Sequence, residues 1–158
     1  MTSDQHLTAE EKSTNLDTLR HIMRVRNLLD LCVVDLLRRG ERHDLSKLER
    51  PEVTGFANAK PIHGLTYGSQ EWKENCKLLE DTLVHHYARN SHHPQHYKNG
   101  VNDMTLLDVL EMLVDWKASS ERHNDGNILK SIESNAGRFE MSPQLTRILE
   151  NTAAIFDG

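Results

Sequence analysis

TLLDVLEMLVDW, residues 105–116, is the stretch of the sequence that most clearly indicates the fold. Thr105 and Asp108 have the spacing of a capping box, which predicts a helix that begins here and runs to about Arg122. On a helical wheel a narrow polar face is flanked by a wide apolar arc, so this helix needs cover on most sides. The polar face contains Asp108, Glu111, Asp115 and Ser119.

This polar face has two interpretations. It is either a stripe on a surface helix that faces water, or a stripe that a mostly buried helix directs into a polar cleft. The apolar arc covers more than half of the circumference, which favours the cleft. Asp115 would then be a metal ligand, and Glu111 would orient a ligand histidine or move a proton in catalysis.

The N-terminal part of the chain predicts a polar leader followed by a long helix. Residues 1–13 are polar and acidic, so we expect no secretory signal there. An apolar stripe with a period near 3.6 residues then runs from about Asn15 to Arg39, and Gly40 is the expected stop. The predicted organisation is therefore a leader over residues 1–13 and one helical domain over residues 14–158.

The rest of the chain also follows a helical pattern. Residues 51–68 hold prolines and glycines but few periodic apolar side chains, which predicts a loop. Ser69 is the expected cap of a helix that runs to about Asn90, residues 125–140 predict another, and Ser142 opens the last. No stretch alternates long enough for a strand, so the predicted fold class is all-α, a single-domain bundle of five to six helices.

Composition limits the classes of function. The 158 residues carry a formal net charge of −5, which argues against a surface for long nucleic acid but allows a small anionic ligand. No stretch approaches the ~20 consecutive apolar residues of a spanning helix, so we expect no membrane partner. Cys32 and Cys76 lie among apolar neighbours, which predicts reduced core thiols and a cytoplasmic location.

Histidine is frequent, with ten residues of this type, and imidazole is the commonest protein metal ligand. The central signal is the pair His43–Asp44, with His21 upstream and Asp115 downstream. Imidazoles together with carboxylates suit Mn, Fe, Co, Ni or Zn, and Asp44 can bridge two ions that polarise a water between them. A helix cap or a surface pair is the simpler interpretation of His43–Asp44 alone.

Several blocks together resemble the HD-domain superfamily of metal-dependent phosphohydrolases. They are His21, HDLSK at residues 43–47, His86, HHPQHY at residues 92–97, and Asp115 with Trp116. More closely, HDLSK, HHPQHY and EMLVDW look like blocks of a family of small proteins met in bacteria and their phages, over residues 15 to about 155. The resemblance implies an HD-like fold and the hydrolysis of a small phosphate ester, with nucleotides as the expected substrates, by a metal-activated water.

The resemblance also implies one or two divalent transition-metal ions and their ligands. The first ion would be held by His21, His43, Asp44 and Asp115. A second ion would share Asp44 and take His86, together with His92 or His93, of which we favour His93. Lys47 would face a phosphate or the attacking water. The alternative for His21 and for His86 is a hydrogen-bonded core histidine.

Four polar residues are candidates for binding the anionic substrate: Arg89, Asn90, Asn135 and Arg138. An arginine offers a two-pronged contact to a phosphate, whereas the alternative is ordinary surface charge. Two other functions stay open. A mixed-valent di-iron oxygenase of the same superfamily needs the same ligands. In a non-catalytic helical module that binds a nucleotide or a protein, the metal would be structural or absent.

Overall fold

The computed structural model of the chain describes residues 7–59, 70–122 and 126–157. Within these ranges the regular structure is entirely helical, which confirms the predicted all-α class. The six α-helices are α1 (Ala9–Arg42), α2 (Glu52–Asn58), α3 (Gln70–Arg89), α4 (Leu106–Ser120), α5 (Ile128–Arg138) and α6 (Pro143–Ala153). Short 3-10 turns lie at Leu45–Leu48, Pro94–His96, Gly100–Asp103 and Ala154–Asp157.

The chain divides into two compact units, residues 1–41 and residues 42–158. The first unit is the helix α1 in its described part, and no residue of this helix is buried. The predicted apolar stripe is present on α1, yet its side chains are exposed, for example Leu19 at 55% and Leu29 at 59%. The buried apolar side chains of the described residues all belong to the second unit.

Both ends of α1 differ from the sequence-based prediction. The helix begins at Ala9 rather than Asn15, because Thr8 and Glu11 form a capping box with N–H to oxygen distances of 2.7 and 3.2 Å. It also continues through Gly40 to Arg42, so the expected stop at Gly40 is wrong. The left-handed residue that follows the helix is Asp44, with a φ of 57°.

Part of the predicted loop over residues 51–68 is the helix α2. Tertiary contacts, which hydrophobic periodicity does not show, stabilise this short helix. Glu52 is fully buried beside α3, and Gly55 packs so closely on Thr82 that a side chain would not fit between them. Residues 60–69 lie outside the described residues, as does the expected cap Ser69.

The hydrophobic core of the second unit lies between α4, α5 and α6. Its buried members are Val109, Met112, Leu113, Ile128, Ile132, Leu149 and Ala153. The predicted capping box of Thr105 and Asp108 is present at the start of α4, and Ser142 caps α6 by accepting a hydrogen bond from the Leu145 N–H. Leu106, placed on the apolar arc of α4 by the sequence, is instead 82% exposed.

The segment of residues 91–97, here called the histidine turn, is hydrogen-bonded to the polar face of α4. Asp108 is almost fully buried and accepts hydrogen bonds from the Ser91 hydroxyl at 2.7 Å and the Tyr97 hydroxyl at 2.8 Å. The same carboxylate accepts from the backbone N–H of Thr105 at 2.9 Å. One side chain therefore fixes both the first turn of α4 and the histidine turn.

In the part of the chain that the structure describes, none of the helices combines the length and apolar character needed to cross a bilayer. Both cysteines are free thiols. Cys32 is exposed and Cys76 is half-buried, so the prediction that both belong to the core is wrong. The apolar neighbours of Cys32 in the sequence lie on α1, which buries none of its residues.

The contact between α2 and α3 predicts a strong effect of a single methyl group. We expect Gly55→Ala to lower the free energy of unfolding by about 1–3 kcal/mol, because the new Cβ would lie 1.8 Å from the Thr82 hydroxyl oxygen. Denaturant unfolding measures the change. Gly137→Ala is the matched control: it is helical with open space around it and should be neutral or gain at most ~1 kcal/mol. Equal stability of both variants would contradict the packing described here.

Candidate metal centre

His43 and Asp44 connect the end of α1 to the 3-10 turn Leu45–Leu48. Asp44 adopts a left-handed backbone conformation, with φ 57° and ψ 13°, and aspartate is one of the few non-glycine residues that tolerate it. Such strained conformations cluster at functional sites and persist only where the surrounding contacts hold them. The carboxylate of Asp44 is held by its neighbours on several sides.

The structure brings together all the predicted ligands of the second unit. They fall into two groups. Within each group the candidate ligand atoms lie within 4.8 Å of one another. The four-residue group consists of Asp44, His86, His92 and His93, and the three-residue group consists of His43, His92 and Asp115. His21 lies on α1 in the first unit with an exposed side chain, and its role as a ligand stays a prediction.

Distances in the four-residue group suit a small cation. His86 Nε2 lies 3.3 Å from Asp44 Oδ1 and 2.9 Å from His93 Nε2, and His92 Nε2 lies 3.7 Å from Asp44 Oδ1. Nitrogen and oxygen ligands at ~2.1 Å from one ion, with angles near the tetrahedral value, are separated by about 3.4 Å. The sequence favoured His93 over His92, but the structure places both in the group.

Asp44 faces both groups with different oxygens. Its Oδ1 points toward His86 and His92, whereas its Oδ2 lies 3.5 Å from His43 Nε2. His43 Nε2 is also 3.5 Å from Asp115 Oδ1. This geometry suits the bridging role that the resemblance implied for Asp44.

Two buried atoms at the centre lack a hydrogen-bond partner among the described residues: Asp44 Oδ1 and His92 Nε2. Buried polar atoms are nearly always hydrogen-bonded, and leaving one unsatisfied costs about 1–3 kcal/mol. Both atoms are good ligands, and they face each other. A bound cation would satisfy both, so the residues fit a metal ion.

Glu111, which the sequence placed on the polar face of α4, holds two of the histidines from behind. Its Oε1 lies 2.9 Å from His43 Nδ1 and 3.2 Å from His92 Nδ1, so the Nε2 atoms of both rings face the centre. The carboxylates of Asp115 and Glu111 raise the pKa of His43 to about 10. A bound ion would have to displace that proton, because only neutral imidazole is a ligand.

Glu52 contacts the Nδ1 atom of His86 in the way that Glu111 contacts His43 and His92. This residue was not identified from the sequence. Its Oε2 lies 2.8 Å from His86 Nδ1, and its Oε1 lies 2.8 Å from His85 Nδ1. Burial opposes ionisation, but hydrogen bonds from His85 and His86 hold the pKa of Glu52 below its usual value. No sequence signal marked this residue, because it follows Pro51 in a segment without helical periodicity.

Burial also keeps His93 uncharged. Removal from water and the neighbouring ring of His92 lower the pKa of the His93 imidazole to about 3. His93 is therefore neutral at physiological pH and can offer a nitrogen lone pair to an ion. The histidine turn, fixed by Asp108, determines where His92 and His93 lie.

Lys47 brings a positive charge to the centre. Its Nζ donates a hydrogen bond to Asp44 Oδ2 and lies 5.6 Å from the centroid of the Phe56 ring. Although burial opposes it, this hydrogen bond helps to hold the pKa of Asp44 below its usual value. The Lys47 side chain is 39% exposed, so it can also meet a ligand that enters from solvent.

The four predicted substrate-binding residues have different surroundings. Arg89 is exposed, and the Asn135 amide donates to the Ser131 carbonyl at 2.9 Å. The Asn90 amide donates to the Ser46 hydroxyl at 2.9 Å and to the His86 carbonyl at 2.8 Å, which suits a positioning role better than the predicted substrate contact. Arg138 lies over the Phe139 ring and lines an open cavity of about 530 Å³ beside the histidine turn.

The unsatisfied atoms predict that divalent ions stabilise the fold. Saturating Mn²⁺ or Zn²⁺ should raise the melting temperature, with a gain of about 2.7 kcal/mol in unfolding free energy at 100 times the Kd. Thermal unfolding with and without a chelator measures this effect. His92→Asn should remove most of the gain, because His92 belongs to both groups, whereas His96→Asn, at an exposed position, should retain it. No shift in the unmodified chain would exclude a metal centre here.

No curated protein and no solved structure matches this chain. One family model matches residues 10–155, and its description is "Family of unknown function (DUF5662)". The match includes α1 and the whole candidate metal centre, since it extends from the first turn of α1 to the end of α6. The chain therefore belongs to the DUF5662 family.

Proposed function

We propose that this protein is a metal-dependent hydrolase of a small phosphate ester, with nucleotides as the expected substrate class. One observation carries the proposal: two groups of candidate ligands share His92, and the carboxylate of Asp44, next to the ammonium group of Lys47, has one oxygen near His86 and the other near His43. Metal sites of this kind place positive charge where a phosphate ester develops negative charge during hydrolysis.

The donor set favours a transition metal over magnesium or calcium. Imidazoles outnumber carboxylates in each group, and imidazole nitrogen suits Mn, Fe, Co, Ni or Zn better than the hard cations. When bound, such an ion supplies Lewis acidity and lowers the pKa of a water molecule toward neutrality. The number of ions and their identity belong to the proposal.

The side chains of this protein would orient and neutralise the reacting groups. Asp44 would present one oxygen to each group, and Glu111 would keep the Nε2 atoms of His43 and His92 directed inward. The ammonium group of Lys47, which donates a hydrogen bond to Asp44, would also donate to the phosphate oxygens and stabilise their negative charge. The ring of Phe56 beside Lys47 Nζ restricts where the ammonium group can lie.

The substrate side of the proposal rests on cations near the histidine turn. Arg138 lines the open cavity next to this turn together with Tyr97 and Asn99, and its guanidinium can grip a phosphate with two N–H groups. Arg89 is exposed at the end of α3, just before the turn. A cavity of about 530 Å³ suits a small molecule rather than a polymer. With both cysteines free, we place the reaction in the cytoplasm.

The bridging geometry of Asp44 supports a second candidate function. A carboxylate with one oxygen toward each of two groups also suits a pair of irons, and a di-iron oxygenase would use the same ligands. The two candidates differ in what the loaded protein consumes. A hydrolase releases phosphate or a nucleoside from a nucleotide, whereas an oxygenase takes up dioxygen.

Activity of the reloaded protein tests the proposal. Protein stripped of metal and refilled with Mn²⁺, Fe²⁺ or Co²⁺ should hydrolyse at least one member of a nucleotide panel, as measured by phosphate or nucleoside release. Asp44→Asn should lower the rate by at least ~100-fold, because it removes the carboxylate charge whose two oxygens face His86 and His43. Asp81→Asn, at an exposed position on α3, is the matched control and should keep full activity.

Release of no product from any nucleotide with every metal would contradict the hydrolase. Dioxygen uptake by the iron form in place of product release would select the second candidate. If the protein neither releases product nor takes up dioxygen, and its affinity for a nucleotide is unchanged in Asp44→Asn, the result would indicate a binding module.

Lys47 provides an independent prediction. Lys47→Met should lower kcat by about 100-fold with a smaller change in KM, because the ammonium charge is needed most when charge develops on the phosphate. Lys47→Arg should recover part of the rate. Steady-state kinetics with the best nucleotide of the panel measures both constants, and an unchanged kcat in Lys47→Met would remove this residue from catalysis.

A further inference from the structure

We infer that Glu52 and Glu111 are positioning residues that control the two metal groups unequally. Glu52 acts on the four-residue group alone, whereas Glu111 acts on both groups. The inference depends on the metal-binding part of the proposed function and is independent of the reaction that the centre catalyses. It follows from which ring nitrogen of each histidine faces which carboxylate.

A carboxylate behind a histidine decides which ring nitrogen is free to bind an ion. An ionised carboxylate can only accept hydrogen bonds, so a neutral imidazole next to it carries its single proton on the nearer nitrogen. Glu52 contacts Nδ1 of His86, and Glu111 contacts Nδ1 of His43 and of His92. The lone pairs are thereby left on the Nε2 atoms, which face the centre.

Glu111 reaches both groups because one of its histidines belongs to both. A single oxygen, Oε1, contacts His43, which belongs to the three-residue group, and His92, which belongs to both groups. The side chain is 13% exposed and comes from the polar face of α4, about one helical turn after Asp108 of the capping box. Loss of this oxygen would release two of the three ligands of the three-residue group.

Glu52 reaches only one of these ligands. It lies on α2, is fully buried, and contacts His86, which belongs to the four-residue group alone. Its other partners are not ligands in either group: Oε1 contacts His85, and the Ser46 hydroxyl donates to Oε2 at 2.8 Å. Loss of this carboxylate would disorder one ligand of four and leave His43, His92 and Asp115 in place.

Metal titration of the purified full chain tests the inference without any measurement of activity. The variants are Glu52→Met and Glu111→Met, because methionine is unbranched like glutamate but lacks a carboxylate. Isothermal titration with Mn²⁺ should resolve two ions in the unmodified protein. Glu52→Met should lower the affinity for one ion by about 10–100-fold and change the affinity for the other less than about threefold. Glu111→Met should lower the affinity for both ions by about 10–100-fold.

Two further variants separate positioning from folding. Glu111→Gln keeps one oxygen that can accept from both rings, so it should recover most of the affinity lost in Glu111→Met. Glu133→Met, at an exposed position on α5, should leave both ions unchanged. Thermal unfolding of each metal-free variant reports whether the fold is retained, and Glu52→Gln replaces Glu52→Met if the latter does not fold.

The inference would be overturned if Glu52→Met and Glu111→Met each lowered the affinity for both ions equally. Unchanged affinities in both variants would also overturn it, as would the absence of Mn²⁺ binding by the unmodified chain. The expected pattern of affinities together with an inactive protein would leave the inference standing and contradict only the proposed hydrolysis.

Discussion

The energy of unsatisfied polar groups is the constraint on which the rest of this structure depends. Histidines and carboxylates from α2, α3, α4 and the histidine turn are removed from water at one place, and each must find a partner there. Glu52 and Glu111 supply partners at the back of this cluster, and Asp108 fixes the histidine turn through Ser91. At its front, Asp44 Oδ1 and His92 Nε2 have none among the described residues. A polar cluster with hydrogen-bond partners on one side and two unsatisfied ligand atoms on the other could hold a metal ion.

The helix α4 connects this cluster to the stability of the second unit. Its apolar side contributes Val109, Met112 and Leu113 to the core with α5 and α6. Its polar side contributes Glu111 and Asp115 to the candidate metal centre. Because one helix carries both, packing in the core helps to position Glu111 and Asp115. Rigid supports of this kind are what a metal centre requires of its scaffold.

Local signals in the sequence predicted the elements that depend on local physics. The all-α class, the capping box of Thr105 and Asp108, and the polar face of α4 all follow from spacings of three or four residues. What the sequence missed depends on contacts between distant residues. The helix α2 has no amphipathic pattern and is stabilised by Glu52 beside His85 and His86, more than thirty positions away in the chain. Gly40 is a plausible stop by residue type, yet the left-handed backbone conformation is found at Asp44, a member of the candidate metal centre.

The candidate site shows the same division. The pairing of His43 with Asp44 and the polar stripe of α4 could be found from the sequence, because their spacing is short. That His92 and His93 both face the centre could not, since the direction of adjacent side chains in a turn depends on how Asp108 holds Ser91 and Tyr97. The carboxylate of Glu52 had no signal at all. Residues that support ligands from behind are set by the tertiary fold, and only a structure identifies them.

The most direct measurement of the central claim is the anomalous scattering of a crystal of this protein soaked in Mn²⁺ or Zn²⁺. We expect a peak at about 2.0–2.3 Å from Asp44 Oδ1 and His92 Nε2, the two buried atoms that lack a hydrogen-bond partner among the described residues. A peak near His43 and Asp115 would mark the second group. The absence of any anomalous peak, with ordered water or a protein donor bonded to both buried atoms, would contradict the account.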